Sequence, residues 1–369
     1  MRKSFLKGAL ILSIAPIVTQ LFSFIILPFI TRMYDPEDYG VYSSIASAAG
    51  VLSVLQGFGY HQAIILPKSD SIAKLIYNVC LLITIFLSVI YLLLFSLIPD
   101  FFIVRYIPQI ILDFKYSILM LLLLHGLSSC LSIMNIRKGN YKIIAISRVL
   151  RVVANKFTII SLGLFVFVSP SNLIYADIFA SVTVSLVLLF GTKNIFFKQK
   201  VDLKLIKKTL YKYRQFPIYN LPSDLVFRLK QAVVVILFLK FFGAEVVGYY
   251  AMALLILSIP STIIGSAIGE VFYKESAEYK SNDELKKSLL EMLTLMLSVS
   301  LIIFLSLALF SDRIIPLLLG DNWTGASSVI SILVIICFSD FVIGPFLNIF
   351  KVLNIQKFSL IYQSVVLLF

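Results

Sequence analysis

Apolar runs of about twenty residues or more, divided by short polar stretches, recur along the whole chain. They fall at 8–31, 39–66, 75–98, 115–136, 143–168, 173–191, 217–242, 246–272, 287–311 and 325–350. At about 1.5 Å per residue, a helix of this length crosses a hydrocarbon layer of about 30 Å. Runs of this length, repeated along the whole chain, are the signature of transmembrane helices rather than of one buried core. The pattern predicts an all-α, polytopic membrane protein. An eleventh apolar run begins near Phe358, and the sequence ends within it. The N-terminal stretch MRKSFLKGALILSIAPIVTQ starts like a signal peptide. Its apolar segment continues to Ile30 with no small-x-small cleavage site, so it reads as a retained first span.

Composition sharpens this picture. The chain of 369 residues is 60% hydrophobic and 14% charged, against roughly 45–50% and about 25% in a soluble domain. The net charge is +13. A basic balance can mark a nucleic-acid binder, but here the charge is spread over the loops between spans. It fits positive-inside loops in contact with anionic membrane lipids, and no nucleic acid is expected. With the N-terminus (Arg2, Lys3, Lys7) in the cytoplasm, the inside loops also hold Lys68, Lys74, Arg137, Lys138, Lys142 and the run from Lys193 to Arg214. Further inside loops hold Lys274, Lys280, Lys286, Lys287, Lys351 and Lys357, and the outside loops only Arg32, Arg105, Lys115, Lys240 and Arg313. This bias predicts a multi-pass protein of the cytoplasmic membrane with an inside N-terminus.

The segment 192–216 is the longest basic loop and reads as an amphipathic surface helix, a linker between lobes at 1–191 and 217–369. The two lobes look related. An offset of 208 aligns YDPEDYGVY (34–42) with FGAEVVGYY (242–250), pairing Gly40 with Gly248, Tyr42 with Tyr250, Ser53 with Ser261 and Gly57 with Gly265. An even number of spans per lobe makes such a repeat parallel, an architecture common among transporters.

Catalytic patterns are missing. The two histidines, His61 and His125, have no metal-ligand spacing, and Cys80, Cys130 and Cys337 are isolated within apolar segments. There is no Gly-rich phosphate loop, so neither cofactor nor metal is expected. The informative residues are ionisable groups inside spans, which are costly in hydrocarbon and face a bundle interior or a wet cavity. The fifth span carries Arg148, Arg151, Asn155 and Lys156, with 148, 151 and 155 on one helical face. The seventh carries Asp224, Arg228, Lys230 and Gln231. Asp224 lies one turn before Arg228, so an intrahelical pair is an alternative there. Arg228 corresponds to Gln20 under the 208 offset. Buried cations without matching acids imply an anionic ligand, and a lipid-borne diphosphate would offset their desolvation. Arg151, Lys156, Arg228 and Lys230 are the expected cationic set. Gln20 and Asn155 would add hydrogen bonds, with Arg148 near the headgroups and His61 as a minor participant.

The stretch LPFITRMYDPEDYGVYSSIASAAGVLSVLQGFGYHQAI (27–64) resembles the opening of bacterial Wzx-type polysaccharide flippases, within the multidrug/oligosaccharidyl-lipid/polysaccharide exporter superfamily. The matching positions are Pro28, Arg32, Pro36, Asp38, Tyr39, Gly40 and Tyr42, and FFGAEVVGYYAMA (241–253) is similar to the family's second-half opening. The resemblance implies two six-helix lobes, the second cut short at about helix eleven, around a cationic cavity. It implies that a polyprenyl-diphosphate-linked oligosaccharide passes to the outer leaflet by alternating access, with other polysaccharide-assembly membrane proteins as partners. Many relatives carry an acid midway along the seventh helix, where this chain has Arg228-Leu229-Lys230-Gln231. The rival readings are a drug or peptidoglycan-precursor exporter of the same superfamily and a membrane-embedded polysaccharide polymerase. A drug exporter calls for a carboxylate in the first helices, and Asp35 and Asp38 lie at the membrane surface instead. A polymerase calls for a large charged external loop, which 99–114 is not.

Overall fold

The structure, a computed structural model, describes residues 2–97, 108–192, 203–265 and 282–343. Among them all regular structure is helical. The eleventh apolar run and residues 193–202 of the linker lie outside the described residues. Contacts divide the chain into two compact units, Met1–Gly248 and Tyr249–Phe369.

The first unit contains α1 (Arg2–Thr31), α2 (Pro36–Ser53), α3 (Asp70–Leu97), α4 (Lys115–Arg137), α5 (Tyr141–Phe165), α6 (Pro170–Thr192), α7 (Leu203–Lys212) and α8 (Leu221–Phe242). The next helix, α9 (Ala244–Pro260), begins in this unit. Helices α5 and α6 pack along each other; α1 covers α5, and α4 packs on both α3 and α6. Helix α8 lies against α2. Among the described residues, seven helices are long and apolar enough to cross a membrane, and a bent pair, Pro36–Ser53 with Gln56–Ile65, makes an eighth when taken as one span. Large apolar side chains such as Phe29, Phe86 and Phe179 are exposed along them. Exposed apolar surface on so many spans is stable only against lipid. The protein is a multi-pass membrane protein.

Helix α5 and helix α8 fall outside those seven, although their 25 and 22 residues suffice to span. Their intramembrane cations disqualify them by composition, and both contribute to the cavity described below.

The second expected span departs from a single helix. It breaks after Ser53, and the following 3-10 segment turns away by 64°. Gly57, Phe58 and Gly59 all have positive φ, at 69°, 47° and 72°. Glycine takes such angles freely, whereas a bulky residue does so at a strain of about 1–3 kcal/mol. The run QGFG therefore ends the span early. The break is held from outside: Arg137, at the end of α4, donates to the carbonyls of Ile64, Ile65 and Pro67 at 3.2, 3.1 and 2.7 Å and pairs with Asp70 at 2.8 Å. The expected surface helix of the linker appears as α7, whose lysines Lys204, Lys207, Lys208 and Lys212 are exposed. Tyr60 of the 3-10 segment donates to the Leu210 carbonyl at 3.2 Å and ties α7 down.

Asp35 and Pro36 start α2, with Glu37 and Asp38 in its first turn, where the helix dipole favours acids. Tyr34, buried in the preceding turn, donates to the Ile159 carbonyl at 3.0 Å; burial raises its phenol above the ordinary value, so it stays a donor. The stretches aligned by the 208 offset touch one another. A Cβ on Gly40 would strike the backbone oxygen of Ala244, and a Cβ on Gly248 would strike that of Pro36. The contact is reciprocal, because 244 and 248 are the offset partners of 36 and 40.

The second unit contains the rest of α9, α10 (Asn282–Leu319) and α11 (Gly325–Ile343). Helix α10 extends beyond the expected end at 311, because Ser311-Asp312-Arg313 is polar without breaking a helix; it stops at Gly320, with φ 100°. Trp323 is fully buried edge-on against Tyr249, and Phe304 meets Phe338 and Phe341 edge-on.

Candidate functional site

A cavity of about 810 Å³ opens within the first unit, walled by α2, the 3-10 segment, α4, α5, α6 and α8. Its polar groups arrive with helical spacing. Helix α4 supplies His125, Ser128, Ser129 and Ser132; α5 supplies Ser147, Arg148 and Arg151; α6 supplies Asp177; α8 supplies Asp224 and Arg228. The kink delivers Gln56 and His61 to the same wall. Gly126 is needed at the junction, because a Cβ there would press on Thr84 at 2.5 Å.

Of the residues expected from sequence, the cavity brings together Arg148, Arg151, Arg228 and His61. Lys156, Asn155, Lys230 and Gln20 do not line it. Helical geometry accounts for two of these. Five residues place Lys156 about 140° round the helix from Arg151, and two place Lys230 about 200° from Arg228.

The charges are unequally partnered. Arg151 pairs with Asp177 at 3.2 Å, and the same guanidinium nitrogen stands 3.4 Å from His125 Nε2. The expectation that the buried cations lack matching acids therefore fails at Arg151: its acid comes from the neighbouring helix α6. Asp224 accepts a hydrogen bond from Gln62 at 2.9 Å, and Gln62 accepts one from Asn220 at 2.9 Å. This chain fixes the kinked segment to α8, in place of the intrahelical pair with Arg228. Among the described residues Arg228 has no acid within ion-pair distance, and it stands exposed. Both carboxylates of the cavity are thus engaged, while Arg228 and Arg148 present free guanidinium donors.

Gln56, Asp177 and the serines were not expected from sequence. Gln56 is 3% exposed, and neither amide atom has a partner among the described residues. A buried amide without a hydrogen bond costs about 1–3 kcal/mol, so its place on the wall points to a polar occupant. Five serine hydroxyls, those of Ser53, Ser128, Ser129, Ser132 and Ser147, line the remaining surface.

A family model described as "Polysaccharide biosynthesis protein" matches residues 29–359. The chain belongs to this family. A curated relative, the teichuronic acid biosynthesis protein TuaB of Bacillus subtilis (strain 168), is 30% identical over 122 residues. That match takes in 33% of this chain and 25% of TuaB, so the chain matches only about a quarter of that relative's length. Among solved structures, an inward-facing multidrug resistance MATE family transporter of the MOP superfamily aligns with a TM-score of 0.60 at 14% identity, covering 93% of this chain and 88% of that one. A point mutant of a MATE protein aligns at 0.50, also at 14% identity, covering 95% and 86%. This polysaccharide biosynthesis protein therefore has the all-helical fold of the MATE transporters.

Proposed function

We propose that the protein moves a polyprenyl-diphosphate-linked oligosaccharide from the cytoplasmic to the outer leaflet of the bacterial cytoplasmic membrane, with its N-terminus inside. The observation that carries this reading is the 810 Å³ cavity in which Arg148 and Arg228 face open space while both carboxylates are engaged. A diphosphate is a ligand whose oxygens take charge-assisted, bidentate bonds from guanidinium groups. The serine-rich remainder of the wall suits hydroxylated sugars, and the volume lies at the upper end for small-molecule sites. Lys156, Lys230, Asn155 and Gln20 stay in this proposal as groups that a cargo meets elsewhere along its path, and membrane lipids surround the exposed apolar helices. Other polysaccharide-assembly membrane proteins are the expected partners.

The exporter rival needs a free carboxylate for a cationic drug. Neither Asp177 nor Asp224 is free, which favours the anionic cargo. The experiment is complementation of a strain lacking the protein. Arg228→Ala is expected to abolish surface polysaccharide while the protein stays at its normal level in the membrane. Full complementation by Arg228→Ala would remove the proposal's main support.

A further inference from the structure

The Arg151–Asp177 contact sits inside the cavity that the proposed function assigns to an anion, so the cavity holds its own anion. The Asp177 side chain is 11% exposed and that of Arg151 is 41% exposed. A carboxylate so buried needs its cation, and the cation is the group a diphosphate would seek. Arg151 can only donate, so its contact with His125 Nε2 at 3.4 Å makes that nitrogen the acceptor and the imidazole neutral. Arg151 is thus satisfied twice within the protein, by Asp177 and by His125. The groups facing this pair are Tyr42 from α2, His125 from α4, Lys156 and Arg148 from α5, and Arg228 from α8.

We propose that Asp177 is a built-in counter-anion of Arg151, that an anionic ligand must displace it, and that the displaced carboxylate takes up a proton. This rests on the cavity's being the anion site. The step balances simply. The ion pair opens, Arg151 donates to a phosphate oxygen, and an O–H bond forms on Asp177 with a proton taken from the surrounding solution, where a buffer acid gives it up and is left as its conjugate base. Two changes raise the carboxylate's proton affinity together: it loses its guanidinium partner and gains the ligand's negative charge as a neighbour. Anion binding and proton uptake are thereby linked, and anion affinity rises as pH falls. The neutral His125 is the other group that could receive the proton, so the test must separate the two.

The probe is the symmetric dimethyl diester of diphosphate, whose two phosphates carry one fixed charge each near neutral pH. It is titrated calorimetrically into the full chain in lipid nanodiscs, in buffers of different ionisation enthalpy, which counts the protons bound. Wild-type protein is expected to take up about one proton per ligand and to bind more tightly at lower pH. Asp177→Asn should bind about fivefold more tightly, the scale of a partly exposed ion pair, with neither proton uptake nor pH dependence. Asp177→Ser, a second neutral variant, should do the same, and His125→Gln should keep the proton uptake. Weaker binding by both Asp177 variants, or uptake that survives in them and vanishes in His125→Gln, would overturn the proposal. Wild-type binding without proton uptake would sink the linkage and leave the anion site standing. No binding by any form would bring down both.

Discussion

Alanine substituted at Gly40 should be clearly worse than at Gly50, although both lie on α2. Glycine within a helix is disfavoured relative to alanine by about 1 kcal/mol, so the propensity gain is the same at both sites and cancels in the comparison. A Cβ on Gly50 meets nothing within 4 Å. A Cβ on Gly40 falls on the carbonyl oxygen of Ala244 and lies 3.0 Å from the Gly248 nitrogen. Those are backbone atoms of a neighbouring helix and cannot swing aside as a side-chain tip would, so α2 and the start of α9 must move apart. Overpacking of this kind costs about 1–3 kcal/mol. At about 2–4 °C per kcal/mol, Gly40→Ala should melt roughly 2–12 °C below Gly50→Ala. The measurement is the apparent melting temperature of both purified variants in one detergent at one scan rate. Equal melting temperatures would show that the two helices do not approach backbone to backbone, and the reciprocal contact between the aligned stretches would go with it.

Three further outcomes follow from named contacts. Arg137→Ala strips three carbonyls of their donor at the kink and should lower stability by about 2 kcal/mol, read as a lower melting temperature; Arg137→Lys, which cannot span the same fork, should recover only part of it. Gln56→Leu replaces a buried amide without partners by a similar apolar volume, so the melting temperature should hold or rise while transport falls; a loss of stability would mean the amide is satisfied within the protein. Gly126→Val forces a branched side chain against Thr84 and Gln56, and should impair both stability and transport, read by the same melt and by surface polysaccharide.

The spans were legible because lipid leaves the backbone few choices, and twenty apolar residues declare a helix whatever their order. What escaped was local. The turn at Gly57-Phe58-Gly59 lies inside an apolar run, where hydropathy does not register a left-handed backbone. The extension of α10 past Ser311 is the reverse case: Ser311-Asp312-Arg313 ends the apolar run, yet nothing in it breaks a helix. At the site, Arg148, Arg151 and Arg228 are legible because a cation in a span is expensive, and all three line the one cavity. Asp177 carries an equally costly charge, but it is the lone charged residue of its span and no pattern in the sequence ties it to a cation. Only the packing of α6 on α5 sets it against Arg151. Gln56 and the serines are ordinary in any span, and their convergence comes from tertiary contact alone.

The central claim is that the cavity's free guanidinium groups carry a diphosphate-linked cargo between leaflets. It is tested most directly in vesicles containing only the purified protein and a fluorescent polyprenyl-diphosphate oligosaccharide, with leaflet exposure followed by an impermeant quencher. The account predicts that wild-type protein brings the buried fraction to the quencher faster than protein-free vesicles do. It further predicts that Arg228→Ala slows this at least about tenfold, the effect of losing one charge-assisted bond. Wild-type movement no faster than in empty vesicles, or an Arg228→Ala rate equal to wild type, would contradict it.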